Sequence, residues 1–166
     1  FSFSAKRTLD AAQRLYEGHK VLTYPRTDSK HLPADYEPTV QEILAALGRD
    51  REYADLADGI VEDGPKNLDK LLDDSKISDH FAIVPTGNAP EVALSGDDAK
   101  IFDLVVRRFL GALMGPAYWN TVERLVALDV QLPTGPESVR FRTTGRSLEV
   151  PGFLAAIGIP EQKSQR

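Results

Sequence analysis

The segment Leu22-Thr23-Tyr24-Pro25-Arg26-Thr27-Asp28-Ser29 gathers a phenol, a guanidinium, a carboxylate and several hydroxyls into one short stretch. Pro25 holds the residue before it out of the helical region, so Tyr24 is expected on a strand end or loop. In extended backbone, positions two apart share a face, which puts Tyr24 and Arg26 on the same side. A phenol, with a pKa of about 10, is a poor nucleophile near neutrality without help. A guanidinium beside it stabilises developing phenolate and can hold a phosphate oxygen through forked hydrogen bonds. Thr27 and Ser29 offer further donors to a phosphate. The chemistry favoured is a tyrosine–phosphate ester. The same residues also suit a surface turn, with Tyr24 half-buried and Asp28 capping the next segment. Residue type and spacing alone leave both readings open.

A second constellation is Ser78-Asp79-His80-Phe81-Ala82-Ile83-Val84-Pro85-Thr86. A histidine titrates near neutrality, so His80 can hold a phosphate as imidazolium or pass a proton. A single histidine beside an apolar run equally suits a structural role. Asp79 alternates away from it and need not be its partner. His19, His31 and His80 lack metal-ligand spacing, and the chain has no cysteine, which excludes disulfides, thiolate zinc sites and a thiol nucleophile within it. That usage fits a reducing compartment. No glycine-rich phosphate loop and no nucleophile elbow occurs. Asp73-Asp74 and Asp97-Asp98 are adjacent rather than alternate, and read as helix-end residues. No metal ligands are therefore expected in this chain.

The elements that must position these groups can be read from periodicity. Residues 4–17 predict a helix in which Ala5, Leu9, Ala12 and Tyr16 recur on one face. Ser4 caps its start, and Gly18 is placed for a left-handed residue at its end. From Tyr36 to about Leu72 the pattern is helical and charged, with Pro38 in a first turn, an Ile43, Leu44 and Leu47 stripe, a second helix over 51–61, and a break at Gly64-Pro65. Ser95 with Asp98 resembles a capping box opening a helix over 96–114, its buried face built from Ile101, Leu104, Val105 and Leu110. Beyond Gly115-Pro116 the period becomes two. Strands are expected over 120–130 and 137–150, with a turn at Thr144-Gly145-Arg146 and with Val139 and Phe141 facing away from Arg140 and Arg142.

The fold class expected is α+β. A mainly helical domain over residues 1–95 carries the tyrosine, a linking helix covers 96–114, a partial β-rich domain covers 115–160, and 161–166 form a tail. With 42% hydrophobic and 27% charged residues the chain reads as globular, and no run is apolar enough to cross a membrane. No secretory signal opens it, and Phe1 stands where an initiator Met would, so an internal segment of a longer polypeptide is expected. The net charge of −5 argues against a generic nucleic-acid coat. Its distribution matters more. Residues 1–33 hold six Lys/Arg against three Asp/Glu, whereas residues 34–75 hold four against twelve. The acidity sits away from both constellations and reads as a solvated helical surface.

Taken together these segments resemble the type IA DNA topoisomerases, of the topoisomerase III kind, over nearly the whole chain and in the family's order. Phe3-Ser4-Ala5-Lys6-Arg7-Thr8-Leu9-Asp10-Ala11-Ala12-Gln13-Arg14-Leu15-Tyr16-Glu17 resembles the helix preceding the family's active-site tyrosine. The Tyr24 segment matches the active-site motif, with Pro25 in the topoisomerase III form. Ser78-Asp79-His80 through Thr86 matches a second signature, from which Phe81 departs where histidine or glutamate is usual. Phe102 through Leu110 resembles the next helix, and Phe141-Arg142-Thr143-Thr144-Gly145 with Pro151-Gly152-Phe153 resembles a strand pair beyond it.

The resemblance implies that Tyr24 attacks single-stranded DNA and forms a 5′-phosphotyrosine. Arg26 would position the tyrosine and the scissile phosphate, His80 would contact that phosphate, and Thr27 and Ser29 would bind DNA. It implies a bacterial enzyme acting in the nucleoid-bearing cytoplasm, an isomerase. Magnesium would be bound by a Toprim domain outside this chain, and further domains of the same polypeptide would complete the DNA groove. The tyrosine-bearing part would have helix-turn-helix-like pieces, and the β-rich part would belong to an arch. Tyrosine recombinases need several dispersed Arg and His, and relaxases a histidine cluster; neither pattern is present. A catalytically silent DNA-binding or interaction module is the alternative of another class.

Overall fold

The computed structural model describes residues 1–159, so the expected tail at 161–166 lies outside the described residues. Two compact units are present, one formed by Phe1–Gly115 with the segment from Phe153 onward, the other by Pro116–Gly152. The fold is α+β, as the change of period predicts.

In the first unit, α1 (Ala5–Glu17) starts where Ser4 Oγ accepts the Arg7 amide at 3.2 Å, the expected cap. Its buried face is Ala11, Ala12 and Leu15; of the four residues whose spacing marks the helix, Ala12 is buried and Leu9 half-buried, whereas Ala5 and Tyr16 are exposed. Tyr16 is 37% exposed and turned toward the Tyr24 segment. Gly18 does not take the left-handed conformation (φ −85°); Lys20, at φ 56°, does. The helix ends tightly on Arg14, whose carbonyl accepts from both Gly18 and His19 amides, so the reversal is delayed by two residues.

Helices α2 (Glu37–Leu47) and α3 (Ala54–Asp63) bury Val40, Ile43, Leu44 and Leu47 against Ala57 and Ile60. Pro38 lies in the first turn of α2, where its missing N–H has no intrahelical partner to lose. Gly64 closes α3 at φ 73°, a backbone region that glycine adopts without strain. A short α4 (Leu68–Leu71) comes next, and the chain bridges in parallel between Leu32 and Leu72.

Helix α5 (Gly96–Leu113) ties two apolar clusters together. Ile101 joins Ala11, Leu15, Val21 and Leu22, while Val106, Phe109, Leu110 and Leu113 join the α2–α3 cluster, with Phe102 packed against both. Leu104, expected inside, is 44% exposed; the buried line runs further round, through Val106. The capping box does not form. Ser95 makes no side-chain cap bond, and the acidic side chains of the first turn point instead toward α1. Arg7 grips Asp97 with Nε and Nη2 at 2.6 and 2.7 Å, and Arg14 reaches Asp98 at 2.6 Å. Carboxylates at a helix N-terminus also complement its dipole. A short α6 (Leu154–Ile157) packs so closely on α5 that a Cβ at Gly111 would meet Ile157 at 3.1 Å. Tyr53 donates to Asp103 at 3.2 Å, and burial with two neighbouring carboxylates pushes its phenol above the ordinary range.

The second unit is one long hairpin, β1 (Tyr118–Leu132) and β2 (Gly135–Val150), paired antiparallel from Tyr118↔Val150 to Leu132↔Gly135. The turn falls at Pro133-Thr134, with Gly135 at φ 124°, and not at Thr144-Gly145-Arg146, where β2 runs on and Gly145 lies opposite Val122. Pro133 has no N–H to give a ladder, which suits it to the loop. The pairs Val126↔Phe141 and Leu128↔Val139 fall on one face. On the other, Ala127↔Arg140 and Leu125↔Arg142 alternate with them as the sequence predicts, and Arg142 pairs with Glu123 at 2.6 Å.

The Arg7 pair holds the Asp97 carboxyl below its ordinary range, chiefly through hydrogen bonds from the guanidinium. A carboxylate depressed in the folded state contributes stability that is complete above its unfolded pKa, about 4, and fades as pH falls through the folded value. Asp97→Asn should therefore weaken the α1–α5 contact at pH 7 and flatten its acid-induced loss below about pH 4, as read by hydrogen exchange of α1 amides. Leu110→Ala, at a fully buried position, should destabilise the unit by about 2–5 kcal/mol in chemical denaturation.

Candidate active site

The Tyr24 segment is held by the second constellation rather than by its own neighbours in sequence. Val21 and Leu22 are buried and pair with Pro85 and Thr86: an antiparallel bridge joins Leu22 to Pro85, and the Thr86 amide donates to Val21 O at 3.0 Å. The Thr23 amide donates to Val84 O at 3.0 Å. Thr23 Oγ1 donates to Ala82 O at 3.0 Å and accepts from the Val84 amide at 2.9 Å. One β-branched hydroxyl thus satisfies both an N–H and a C=O of the facing strand. Pro25 is buried, and Tyr24 lies outside any helix, as expected of a residue that precedes proline.

This pairing brings His80 against the tyrosine. The two rings lie 4.3 Å apart at 47°, and on its other side Tyr24 meets Tyr16 of α1 edge-on at 5.4 Å and 77°. Edge-on contacts place the positive rim of one ring on the negative face of the next. The half-buried Tyr24 ring is therefore fixed by two aromatic neighbours. Among the described residues its hydroxyl has no hydrogen-bond partner, so that oxygen is not tied into the structure.

Arg26 is oriented by the same helix. Its Nη2 donates to Gln13 Oε1 at 3.2 Å, and Gln13 Nε2 donates to Glu17 Oε1 at 2.9 Å. Glu17 accepts and cannot donate, which fixes the Gln13 amide with its oxygen toward Arg26. Gln13 and Tyr16 are three residues apart and share a face of α1. Tyr24 and Arg26 are thus brought together through α1, one by Tyr16 and the other by Gln13. Arg26 makes this contact while remaining exposed, and its remaining donors face solvent.

Thr27 and Ser29 lie beside these groups, with their hydroxyl protons already engaged. Thr27 Oγ1 donates to His80 O at 2.7 Å and accepts from the Ser29 amide; Ser29 Oγ donates to Lys76 O at 2.9 Å and accepts from the His31 amide. A hydroxyl has one proton to give. In this conformation both side chains hold the backbone of the His80 loop, and Ser78 adds a bond to Asp28 at 3.3 Å. Gln13, Tyr16 and Glu17 escape sequence reasoning, which uses Tyr16 only as a mark of helical spacing. The available signal was their spacing on the helix that runs directly into the tyrosine segment.

Tyr24 thus stands just beyond an isolated bridge, between an aromatic contact from α1 and a histidine, in an α+β chain. A family model for DNA topoisomerases matches residues 1–166. The chain belongs to the type IA DNA topoisomerase family and is topoisomerase III-like. It is 48% identical over 119 residues to DNA topoisomerase 3 of Bacillus thuringiensis (strain Al Hakam), covering 71% of this chain and 16% of that protein. It is 44% identical over 163 residues to DNA topoisomerase 3 of Bacillus licheniformis, covering 98% of this chain and 21% of that protein. DNA topoisomerase 3 of Bacillus subtilis (strain 168) is 36% identical over 168 residues, covering 100% and 22%. The chain spans about a fifth of the length of these relatives.

Thr23→Val keeps shape and removes the hydroxyl, leaving the Val84 amide and the Ala82 carbonyl short of a partner. The expected loss is about 1–3 kcal/mol of local stability, a roughly five- to hundred-and-fifty-fold faster exchange of the Val84 amide. Hydrogen exchange resolved at that residue measures it directly.

Proposed function

We propose that this chain carries the strand-cleaving residues of a type IA topoisomerase that cuts and rejoins single-stranded DNA. The Tyr24 hydroxyl oxygen attacks a backbone phosphorus, the bond from phosphorus to the 3′ oxygen breaks, and the released oxygen takes up a proton as a 3′-hydroxyl. The product is a 5′-phosphotyrosine ester. Attack by the 3′-hydroxyl on that ester reverses the step after another strand has passed, so the phosphodiester energy is conserved and no nucleotide is consumed. Arg26 stabilises charge on the phosphate and the developing phenolate. His80, against the Tyr24 ring, contacts the same phosphate as a cation. Thr27 and Ser29 act by holding the His80 loop in place.

The observation that carries this reading is the Tyr24 ring clamped between Tyr16 and His80 with its hydroxyl unengaged. Membership of the family supports it. In this reading magnesium is bound by a Toprim domain elsewhere in the polypeptide, in a bacterial cytoplasm where the enzyme works on nucleoid DNA. Among the described residues no group of His, Asp and Glu converges to hold a cation, and no step above passes through one.

Covalent capture of a labelled single-stranded oligonucleotide by the full-length protein is the test. Tyr24→Phe should abolish the adduct, and Arg26→Ala should slow its formation roughly 10²–10³-fold, the usual effect of removing a charge-stabilising donor. A parent protein that binds the oligonucleotide without forming an adduct would instead identify a silent DNA-binding module. Residues 1–166 alone should not relax supercoiled DNA in the presence of magnesium.

A further inference from the structure

A cavity of about 350 Å³ opens immediately beyond the tyrosine segment. Thr27 and Ser29 form one edge, Leu32, Val84 and Phe109 line its apolar interior, and Ala112 lies on its α5 side. Lys30 and Arg108 stand on its rim. Both are exposed, and neither pairs with a carboxylate among the described residues. The other arginines of the helices in this unit behave differently: Arg7, Arg14 and Arg107 are each engaged by an aspartate or glutamate. Two unpaired cations at the mouth of an apolar recess complement a ligand with an anionic edge and an apolar, planar body.

We infer that this cavity takes one unpaired nucleotide of the DNA strand bound at Tyr24, its base against the apolar interior and its flanking phosphates on Lys30 and Arg108. This rests on the reading that Tyr24 works on single-stranded DNA. Thr27 is three residues from Tyr24, so its Cα lies within about 11 Å of the tyrosine's. An unstacked nucleotide spans roughly twice the 3.4 Å duplex rise, which puts the cavity one or two nucleotides from the scissile phosphate. The volume falls at the lower end of ligand pockets, about 300–1,000 Å³, and suits a single base with its sugar. A duplex cannot use the cavity, because its bases are paired and stacked. The cavity therefore adds a selection for unpaired DNA that the Tyr24 site itself does not contain.

The test uses the full-length protein as Tyr24→Phe, so that binding is read without cleavage, and a fluorescent single-stranded oligonucleotide titrated at several salt concentrations. Each phosphate contact to single-stranded DNA contributes about 0.7 to the slope of log affinity against log salt. Lys30→Gln and Arg108→Gln should each lower that slope by about 0.7, and together by about 1.4. Ala112→Trp, which fills the cavity from α5, should weaken binding about tenfold with the slope unchanged. That penalty should vanish on an oligonucleotide abasic throughout. An unchanged slope in the double variant overturns the phosphate contacts, and an equal Ala112→Trp penalty on abasic DNA overturns the base contact. If the Tyr24-containing parent still forms the covalent adduct while these fail, the cavity assignment falls and the cleavage reading stands. A parent that neither binds nor captures the oligonucleotide overturns both.

Discussion

Sixty-one residues separate Thr23 from Val84, and the rest of the candidate site depends on the contact that closes that gap. Bringing distant parts of a chain together costs loop-closure entropy that grows only slowly with length, so a short, well-paired contact can hold a long excursion. Here two backbone bonds, two bonds to the Thr23 hydroxyl and the burial of Val21, Leu22 and Pro85 act together. Helices α2, α3 and α4 are all contained in the excursion. The contact therefore determines that His80, otherwise remote in sequence, stands against Tyr24. A tyrosine on an unpaired loop would have no fixed neighbour and no defined approach to a phosphate.

Helix α1 supplies the second constraint. Its buried side, Ala11 and Leu15, is small and apolar and lets Val21, Leu22 and Ile101 close over it. The Arg7–Asp97 and Arg14–Asp98 pairs lie at the surface, where solvent screening keeps an ion pair's contribution small. They are better understood as fixing the rotation of α1 against α5 than as holding the two together. Rotation is what matters for the site. One helical face carries Gln13 and Tyr16, and a turn of the helix by one residue, about 100°, would take both away from Arg26 and Tyr24.

Legibility in the sequence divides along the same physical line. Helices with clear apolar spacing and a local cap, such as α1 with Ser4 and α2 with Pro38, are readable because their signals lie within one or two turns. The alternation of Val139 and Phe141 with Arg140 and Arg142 is readable because a strand has an invariant period of two. The errors occur where a distant partner decides. Ser95 and Asp98 have capping-box spacing, but Arg7 and Arg14, some ninety residues earlier, attract the acidic side chains. Gly145 looks like a turn residue, yet its partner Val122 keeps it in the ladder while Pro133-Thr134 makes the reversal. Tyr16 falls on the apolar spacing that marks α1, yet it is exposed and meets Tyr24 edge-on. The Tyr24 segment itself is legible as a density of reactive types, but the amide of Gln13 that orients Arg26 depends on which way α1 faces, and no local pattern encodes that.

The balance of charge can be understood in the same terms. The chain's carboxylates are unevenly distributed around the candidate site. Here the excess acid lies on α2, α3 and the segments beyond them, at exposed positions such as Glu42, Asp55 and Glu62. The tyrosine segment carries Arg26 and Lys30, and its one carboxylate, Asp28, accepts a bond from Ser78. Glu17, on α1, is engaged with Gln13 and so acts on Arg26 through an amide rather than by direct pairing. A direct Glu17–Arg26 ion pair would neutralise the guanidinium. Inserting a neutral amide between them orients the cation and leaves its charge available. The hydroxyls of Thr27 and Ser29 fit this arrangement, since both are committed to backbone carbonyls of the segment that carries His80 to Tyr24.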